Sequence, residues 1–249
     1  MKSWTTMALR LASLGVVCLL ALQLSFALRI AAMAFIDPQS TSFQRSEAWR
    51  LRADQHQVSW RQTWLPYDRI GNHLKRAVIA SEDAGFADHI GVEWDAIEQA
   101  WQRNERAEAR AARAPALGKA RGRPAAVKVI GGSTISQQLA KNLFLSGERT
   151  ALRKAQELLI TGMLEALLSK QRILEIYLNN VEWGAGVFGA QAAARHYFQK
   201  DAAALSAHEA ARLAVMLPAP KRFERNPNSA YVNERAATIV ARMNAVQLP

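Results

Sequence analysis

The sequence predicts a mainly α-helical domain preceded by one membrane-spanning helix. Three observations predict this class: an uncharged apolar run near the N-terminus, apolar residues at helical spacing through most of the remainder, and no alternating strand pattern of any length. Half of the 249 residues are apolar, which excludes simple disorder. The single cysteine, Cys18, excludes an internal disulfide framework and a CxxC zinc site.

The apolar run covers residues 11–28, and after Arg29 the chain is apolar again up to residue 36. About 20 apolar residues span a bilayer, so we expect a transmembrane helix over residues 11–36. Lys2 and Arg10 precede the run, which predicts that residues 1–10 are cytoplasmic and that the rest of the chain lies outside the cytoplasm. A cleaved signal peptide and a buried core helix are the alternatives.

Residues 37–64 are predicted to form a polar, partly amphipathic juxtamembrane segment. Beyond it, Leu74, Val78 and Ile79 form an apolar stripe at helical spacing that leads to Glu82. Thr134, followed three residues later by Gln137, fits a capping box and predicts a helix start there.

A third helix is predicted over residues 151–168, with its leucines facing inward together with one methionine: Leu152, Leu159, Met163 and Leu167. A further helical pattern follows, and Gly184, Gly186 and Gly189 end it.

The net charge of +11 favours an anionic partner, which composition leaves open between nucleic acid, an acidic membrane and a phosphate-bearing substrate. The excess is concentrated, because residues 103–128 hold eight basic and two acidic side chains. This stretch has few large apolar residues and several Pro and Gly, so we expect a solvated basic loop.

Two glutamates have neighbours that suggest chemistry. Glu82 ends an apolar helical run, where burial would raise the pKa of its carboxyl and suit it to acid–base work. Glu157 follows Arg149 and Arg153 at intervals of four, and with Lys141 these arginines form a candidate anion-binding patch. Taken singly, these residues are more often explained as a solvated glutamate and a structural i,i+4 ion-pair ladder.

Taken in order, five motifs are informative. They are EDAGFADHIG at 82–91, GGSTISQQLAKN at 131–142, RKAQE at 153–157, KQRILEIYLN at 170–179 and AVMLPAP at 214–220. Together, over about residues 65–245, the chain resembles the family 51 peptidoglycan glycosyltransferases, specifically the monofunctional biosynthetic transglycosylases. Residues 104–129 look like an insertion relative to typical members.

The resemblance implies a lysozyme-like helical domain over residues 65–249, with a small membrane-facing lobe. It implies polymerisation of lipid II into glycan strands, with inversion at the anomeric carbon and release of undecaprenyl diphosphate. Only about 30 residues follow Pro220, so no transpeptidase activity is expected. The implied location is the bacterial inner membrane, with a periplasmic catalytic domain.

The motifs also carry residue roles. Glu82 would be the general base, and Glu157 the second glutamate on the diphosphate side. Lys141, Arg149 and Arg153 would stabilise the leaving diphosphate. The remaining motif residues would line the sugar subsites or shape the cleft: Ser133, Gln137, Gln138 and Phe86.

The resemblance implies Mg²⁺ or another divalent cation as a cofactor, without a site built from protein ligands alone. The implied partners are lipid II, the growing glycan chain, the bilayer, and proteins of cell-wall synthesis or division. Nucleic acid is not expected. The rival functions are a lytic enzyme on the same polymer and a membrane-tethered basic binding module.

Overall fold

The structure, a computed structural model, describes residues 2–55, 59–93, 105, 133–148 and 150–249. Of the predicted basic loop at 103–128 only Glu105 is among them, so that prediction lies outside the described residues, as does Arg149.

Helices dominate the described part of the chain, as the sequence predicted. They are α1 (Lys2–Ala32), α2 (Ser42–Gln55), α3 (Asn72–Glu82), α4 (Ile135–Phe144), α5 (Ala151–Leu167), α6 (Lys170–Asn180), α7 (Ala190–Phe198), α8 (Ala207–Met216), α9 (Pro220–Phe223) and α10 (Ala230–Met243). Short 3-10 turns cover Tyr67–Arg69 and Ala202–Ala204, and short strands are β1 (Arg61–Gln62), β2 (Glu182–Gly184) and β3 (Val187–Phe188).

The described part of residues 65–249 is called the head below. Its core forms where α3, α8 and α10 pack on one another. The apolar stripe predicted for α3 is confirmed, because Leu74, Val78 and Ile79 are all buried. Helix α4 packs against both α2 and α5. This packing places the C-terminus of α3 next to the N-terminus of α4, where two of the motifs meet.

The three short strands form one small sheet, in the order β1-β3-β2. Strand β3 pairs in parallel with β1 and in antiparallel with β2. Between β2 and β3, Gly186 has φ +73°, and a Cβ there would lie 1.8 Å from the carbonyl oxygen of Ser59. Only glycine fits this close approach. Trp60 stacks on Phe188 with ring centroids 4.4 Å apart, so the segment predicted as juxtamembrane is packed onto the head.

Helix α1 is long and apolar enough over Thr6–Ala32 to cross a membrane, and the apolar 18-residue window that marks it as a candidate span is not buried within the protein. It ends at Ala32, four residues before the predicted end of the span. The last turns dock on the head: Ile30 is buried in the core, and Phe26 packs edge-on against Phe144 with centroids 5.3 Å apart. Arg172 closes the junction by donating to the carbonyl of Met33 at 2.7 Å.

The predicted inward face of the helix at 151–168 is wrong for its three leucines, whereas Met163 is half-buried and packs against the core as predicted. Leu152, Leu159 and Leu167 are 82%, 55% and 43% exposed. The buried positions of α5 are Glu157, Ile160, Thr161 and Leu164. The prediction assumed that apolar residues face a protein core, whereas Leu152, Leu159 and Leu167 are exposed on a helix that packs against α1.

Candidate active site

Glu82 is the last residue of α3, and its carboxylate faces the first turns of α4. Gln138 Nε2 donates a hydrogen bond to Glu82 Oε2 at 3.0 Å. A second hydrogen bond fixes the orientation of that amide, because the Tyr177 hydroxyl donates to Gln138 Oε1 at 3.0 Å. Tyr177 is completely buried on α6, so three helices build this chain of hydrogen bonds.

Burial raises the pKa of Glu82 above its ordinary value, and the neighbouring Asp83 carboxylate adds to the rise. The hydrogen bond from Gln138 opposes this change by stabilising the ionised form. A carboxyl whose pKa is raised by burial, and which still accepts a hydrogen bond, is suited to accept a proton.

Asp83 has a structural role beside it. Its Oδ2 accepts from the backbone N–H of Ile135 at 3.0 Å, and its Oδ1 lies 2.7 Å from His89 Nε2. The carboxylate thereby satisfies an otherwise unpaired amide at the start of α4. It ties the EDAGFADHIG motif to the GGSTISQQLAKN motif and holds Glu82 and Gln138 together.

The start of α4 is capped as predicted, by Thr134, whose hydroxyl accepts from the N–H of Gln137 at 3.2 Å. The same hydroxyl donates to the carbonyl of Gly91 at 2.6 Å. The side chain of Gln137 is buried, and its Nε2 has no hydrogen-bond partner within the described ranges. Ser133 lies one residue before the cap, and its carbonyl is 3.4 Å from Gln138 Nε2.

Glu157 is buried on α5 between two cations. Arg153 Nη1 lies 2.7 Å from Glu157 Oε2, and Lys154 Nζ lies 2.5 Å from Oε1. The predicted i,i+4 pairing of Arg153 with Glu157 is therefore present. Arg153 Nε is buried without a hydrogen bond to any described residue, so the guanidinium keeps an unused donor.

An open cavity of about 810 Å³ is lined by a hydrogen-bond partner of each glutamate, Gln138 for Glu82 and Arg153 for Glu157. Three predicted site residues line it: Gln138, Lys141 and Arg153. Its opposite wall comes from α2, through Phe43 and Glu47, and from Glu182 on β2. The lining includes two cations, Lys141 and Arg153, which are called the cationic end below. It also includes three carboxylates, Glu47, Glu148 and Glu182, and Gln138, which donates to Glu82.

Comparison with known proteins identifies the family. The transglycosylase family model matches residues 51–244. The chain belongs to the transglycosylase family. It is 54% identical over 230 residues to the biosynthetic peptidoglycan transglycosylase of Burkholderia thailandensis, covering 92% of this chain and 83% of the relative. The protein of the same name from Paraburkholderia xenovorans is 51% identical over 92% of this chain and 88% of its own length.

A third relative comes from another genus. The biosynthetic peptidoglycan transglycosylase of Bordetella pertussis is 52% identical over 216 residues, which cover 87% of this chain and 84% of the relative.

One residue that the resemblance assigns to the substrate cleft is fully buried in this transglycosylase. Phe86 is completely buried, and Lys170 Nζ sits 4.5 Å above its ring centroid. This burial agrees with a role for Phe86 in packing and shaping the cleft, and a direct contact between Phe86 and substrate stays a prediction.

Among the described residues of the transglycosylase, one group of three could hold a metal ion: Asp83, His89 and Glu93, whose ligand atoms lie within 4.8 Å of one another. Mg²⁺ prefers oxygen ligands in octahedral geometry, and here one donor is an imidazole. The Asp83 carboxylate is also already used by His89 and by the Ile135 amide. The group therefore does not fit Mg²⁺.

Sequence reasoning missed two residues of the site. Tyr177 carried a signal, since it belongs to the KQRILEIYLN motif, but its helical position suggested packing alone. Glu182 carried none, because its neighbours Glu47 and Lys221 come from α2 and α9 and meet only in the fold.

Proposed function

We propose that this chain is a membrane-anchored peptidoglycan glycosyltransferase that polymerises lipid II into glycan strands. The observation that carries the proposal is the buried, hydrogen-bonded carboxylate of Glu82, which Gln138 joins to a cavity lined by Lys141 and Arg153. The names of the relatives supply the substrate class, and the cationic end of the cavity supports a diphosphate as part of that substrate.

In this proposal Glu82 removes the proton from the 4-hydroxyl of the acceptor sugar. The freed oxygen forms a bond to the anomeric carbon of the donor while the bond from that carbon to the lipid diphosphate breaks. Attack opposite the leaving group inverts the anomeric carbon. The diphosphate departs with the electron pair, and the proton remains on Glu82 until water removes it.

Charge builds on the leaving diphosphate, and the cations at that end of the cavity would stabilise it. Lys141 and Arg153 line the cavity directly. Arg149 keeps the same proposed role from the resemblance, although it lies outside the described residues.

Glu157 is proposed as a positioning residue. Its carboxylate is occupied by Arg153 and Lys154, and its side chain is only 4% exposed. Held in this way, it fixes the direction of the Arg153 guanidinium, whose remaining donors would meet the diphosphate.

The head is proposed to rest against the bilayer on the side where α1 emerges. Helix α1 qualifies as a span, and the outward leucines of α5 lie on the helix that contacts it. Exposed apolar side chains beside an anchor suit the interfacial region of a membrane, where the lipid tail of the substrate resides. We place the anchor in the inner membrane, with the N-terminus cytoplasmic and the head periplasmic.

A divalent cation remains a proposal that rests on the resemblance. Because the Asp83 group does not fit Mg²⁺, such an ion would be bound through the substrate diphosphate and not by protein ligands alone. It would neutralise phosphate charge.

Incubation of the full chain with lipid II in detergent or vesicles tests the function. Polymer that appears while added sacculi stay intact supports synthesis. Digestion of the sacculi without polymer would replace the proposal with the lytic alternative, which needs a cleft glutamate but no diphosphate-binding cations.

A further inference from the structure

Glu182 is a buried carboxylate that no step of the proposed reaction uses. It lies on β2, its side chain is 6% exposed, and it lines the 810 Å³ cavity. Its Oε1 accepts no hydrogen bond from any described residue. The nearest cation, Lys221 Nζ, is 3.6 Å away and is held more closely by Glu47, at 2.5 Å.

Such a carboxylate is costly to keep, because burial removes its hydration and the Lys221 ammonium at 3.6 Å repays only part of that loss. Burial accordingly raises the pKa of Glu182 to about 7, and Lys221 offsets only part of that rise. A hydrophobic residue would pack this position at lower cost. The side chain of Glu182 lines the cavity, so a group of the substrate would supply a hydrogen bond that the described residues do not.

The charges around the carboxylate restrict the chemistry of that partner. Glu47 and Glu182 face Lys221 and Arg50, whose Nε lies 2.9 Å from Glu47 Oε2, so two acids are balanced by two bases. An incoming ammonium would be repelled by Lys221, and an incoming anion by both carboxylates. A neutral hydrogen-bond donor meets neither penalty.

We infer that Glu182 is a specificity residue that accepts a hydrogen bond from a neutral donor on the substrate, either a sugar hydroxyl or a peptide amide. This inference rests on the proposed function, because the same cavity would hold the diphosphate at its cationic end, near Arg153. The substrate would then be gripped at two ends: by ion pairing at the phosphates and by hydrogen bonding at Glu182.

The test compares Glu182→Leu and Glu182→Gln in the full chain, with steady-state polymerisation of lipid II and thermal unfolding of each protein. We expect the leucine variant to raise KM about tenfold with little change in kcat, because a buried hydrogen bond to the substrate is lost. The glutamine variant keeps an acceptor of the same shape and should stay within about threefold of wild type. Glu234→Leu, on the exposed face of α10, is the matched control.

Stability separates recognition from a structural role. Removal of an unsatisfied carboxyl should leave the melting temperature of the leucine variant equal to or above that of wild type. A lower melting temperature with matching losses in kcat would make Glu182 a structural residue and overturn the inference. If the leucine variant fails to fold, Glu182→Ala takes its place.

The two sources of the donor are distinguished by a lipid-linked disaccharide diphosphate that lacks the stem peptide. If a sugar hydroxyl is the donor, the tenfold penalty persists with this substrate; if a peptide amide is the donor, the penalty disappears. An unchanged KM for Glu182→Leu with both substrates would contradict the inference alone. Absence of polymer from the wild-type chain would instead contradict the proposed function.

Discussion

The hydroxyl of Tyr177 donates to Gln138 Oε1 at 3.0 Å, which turns the amide group of Gln138 toward Glu82. An amide has a donor end and an acceptor end, so its orientation decides whether it stabilises or repels a carboxylate. We therefore expect Tyr177 to control the pKa of Glu82 through Gln138.

Tyr177→Phe removes this control. Without the hydroxyl, Gln138 can rotate, and its lowering effect on the pKa of Glu82 weakens. We expect the acidic limb of the pH–kcat profile to move to higher pH, because the base must be ionised to act, and kcat at neutral pH to fall about 3- to 10-fold. Tyr231→Phe, which alters an exposed phenol, is the control. An acidic limb that stays in place would show that Tyr177 has only a packing role.

Lys141→Ala should lower kcat/KM about 100-fold, since removing one charge-stabilising donor at a leaving group has effects of this size. Arg153→Lys should have a smaller effect, because it keeps the charge but loses the planar fork. Arg235→Ala, on the exposed surface of α10, should change nothing. If the kinetics of Lys141→Ala matched those of wild type, the proposal that the diphosphate binds beside Lys141 would be contradicted.

The junction between anchor and head can be tested by cross-linking. Gln23 and Gln156 donate to each other's side-chain oxygens at 2.9 and 3.0 Å. In a Cys18→Ser background, Gln23→Cys with Gln156→Cys should form an intramolecular disulfide under mild oxidation, detected as a gel shift that reductant reverses. Ser13→Cys with Gln156→Cys should not, because position 13 lies about 15 Å further along α1. Equal cross-linking of both pairs would show that α1 is not docked.

The carboxyl of Glu182 should make stability depend on pH. Its pKa is raised by burial from 4.5 to about 7 in the folded protein, so the stability that comes from its neutral form is present below about pH 4.5 and is lost as the pH rises through 7. Wild type should therefore lose melting temperature relative to Glu182→Gln between those values. A gap that is equal at pH 5 and pH 8 would contradict the raised pKa. The other charged groups around it, Glu47, Lys221 and Arg50, are present in both proteins.

Much of the candidate site around Glu82 was predictable, because its residues lie in local motifs. The stripe of α3 and the Thr134 cap depend on neighbours within a turn or two, and both are confirmed. The link from Tyr177 through Gln138 to Glu82 joins three helices, and no spacing in the sequence encodes it.

The outward leucines of α5 show a different limit. Helical periodicity identified the helix but not the direction of its apolar face. In a chain with a membrane anchor, an apolar face can be directed toward lipid as well as toward a core. Glu157 took the buried position because Arg153 and Lys154 neutralise its charge there, which a count of apolar residues does not anticipate.

The central claim is that Glu82 is the base for glycan polymerisation, and Glu82→Gln tests it most directly. Glutamine keeps the shape of the side chain but cannot accept the proton, so we predict that lipid II polymerisation falls by at least about 100-fold while the melting temperature and helix content are retained. Glu234→Gln should polymerise as wild type does. Substantial polymer from a folded Glu82→Gln protein would contradict the account.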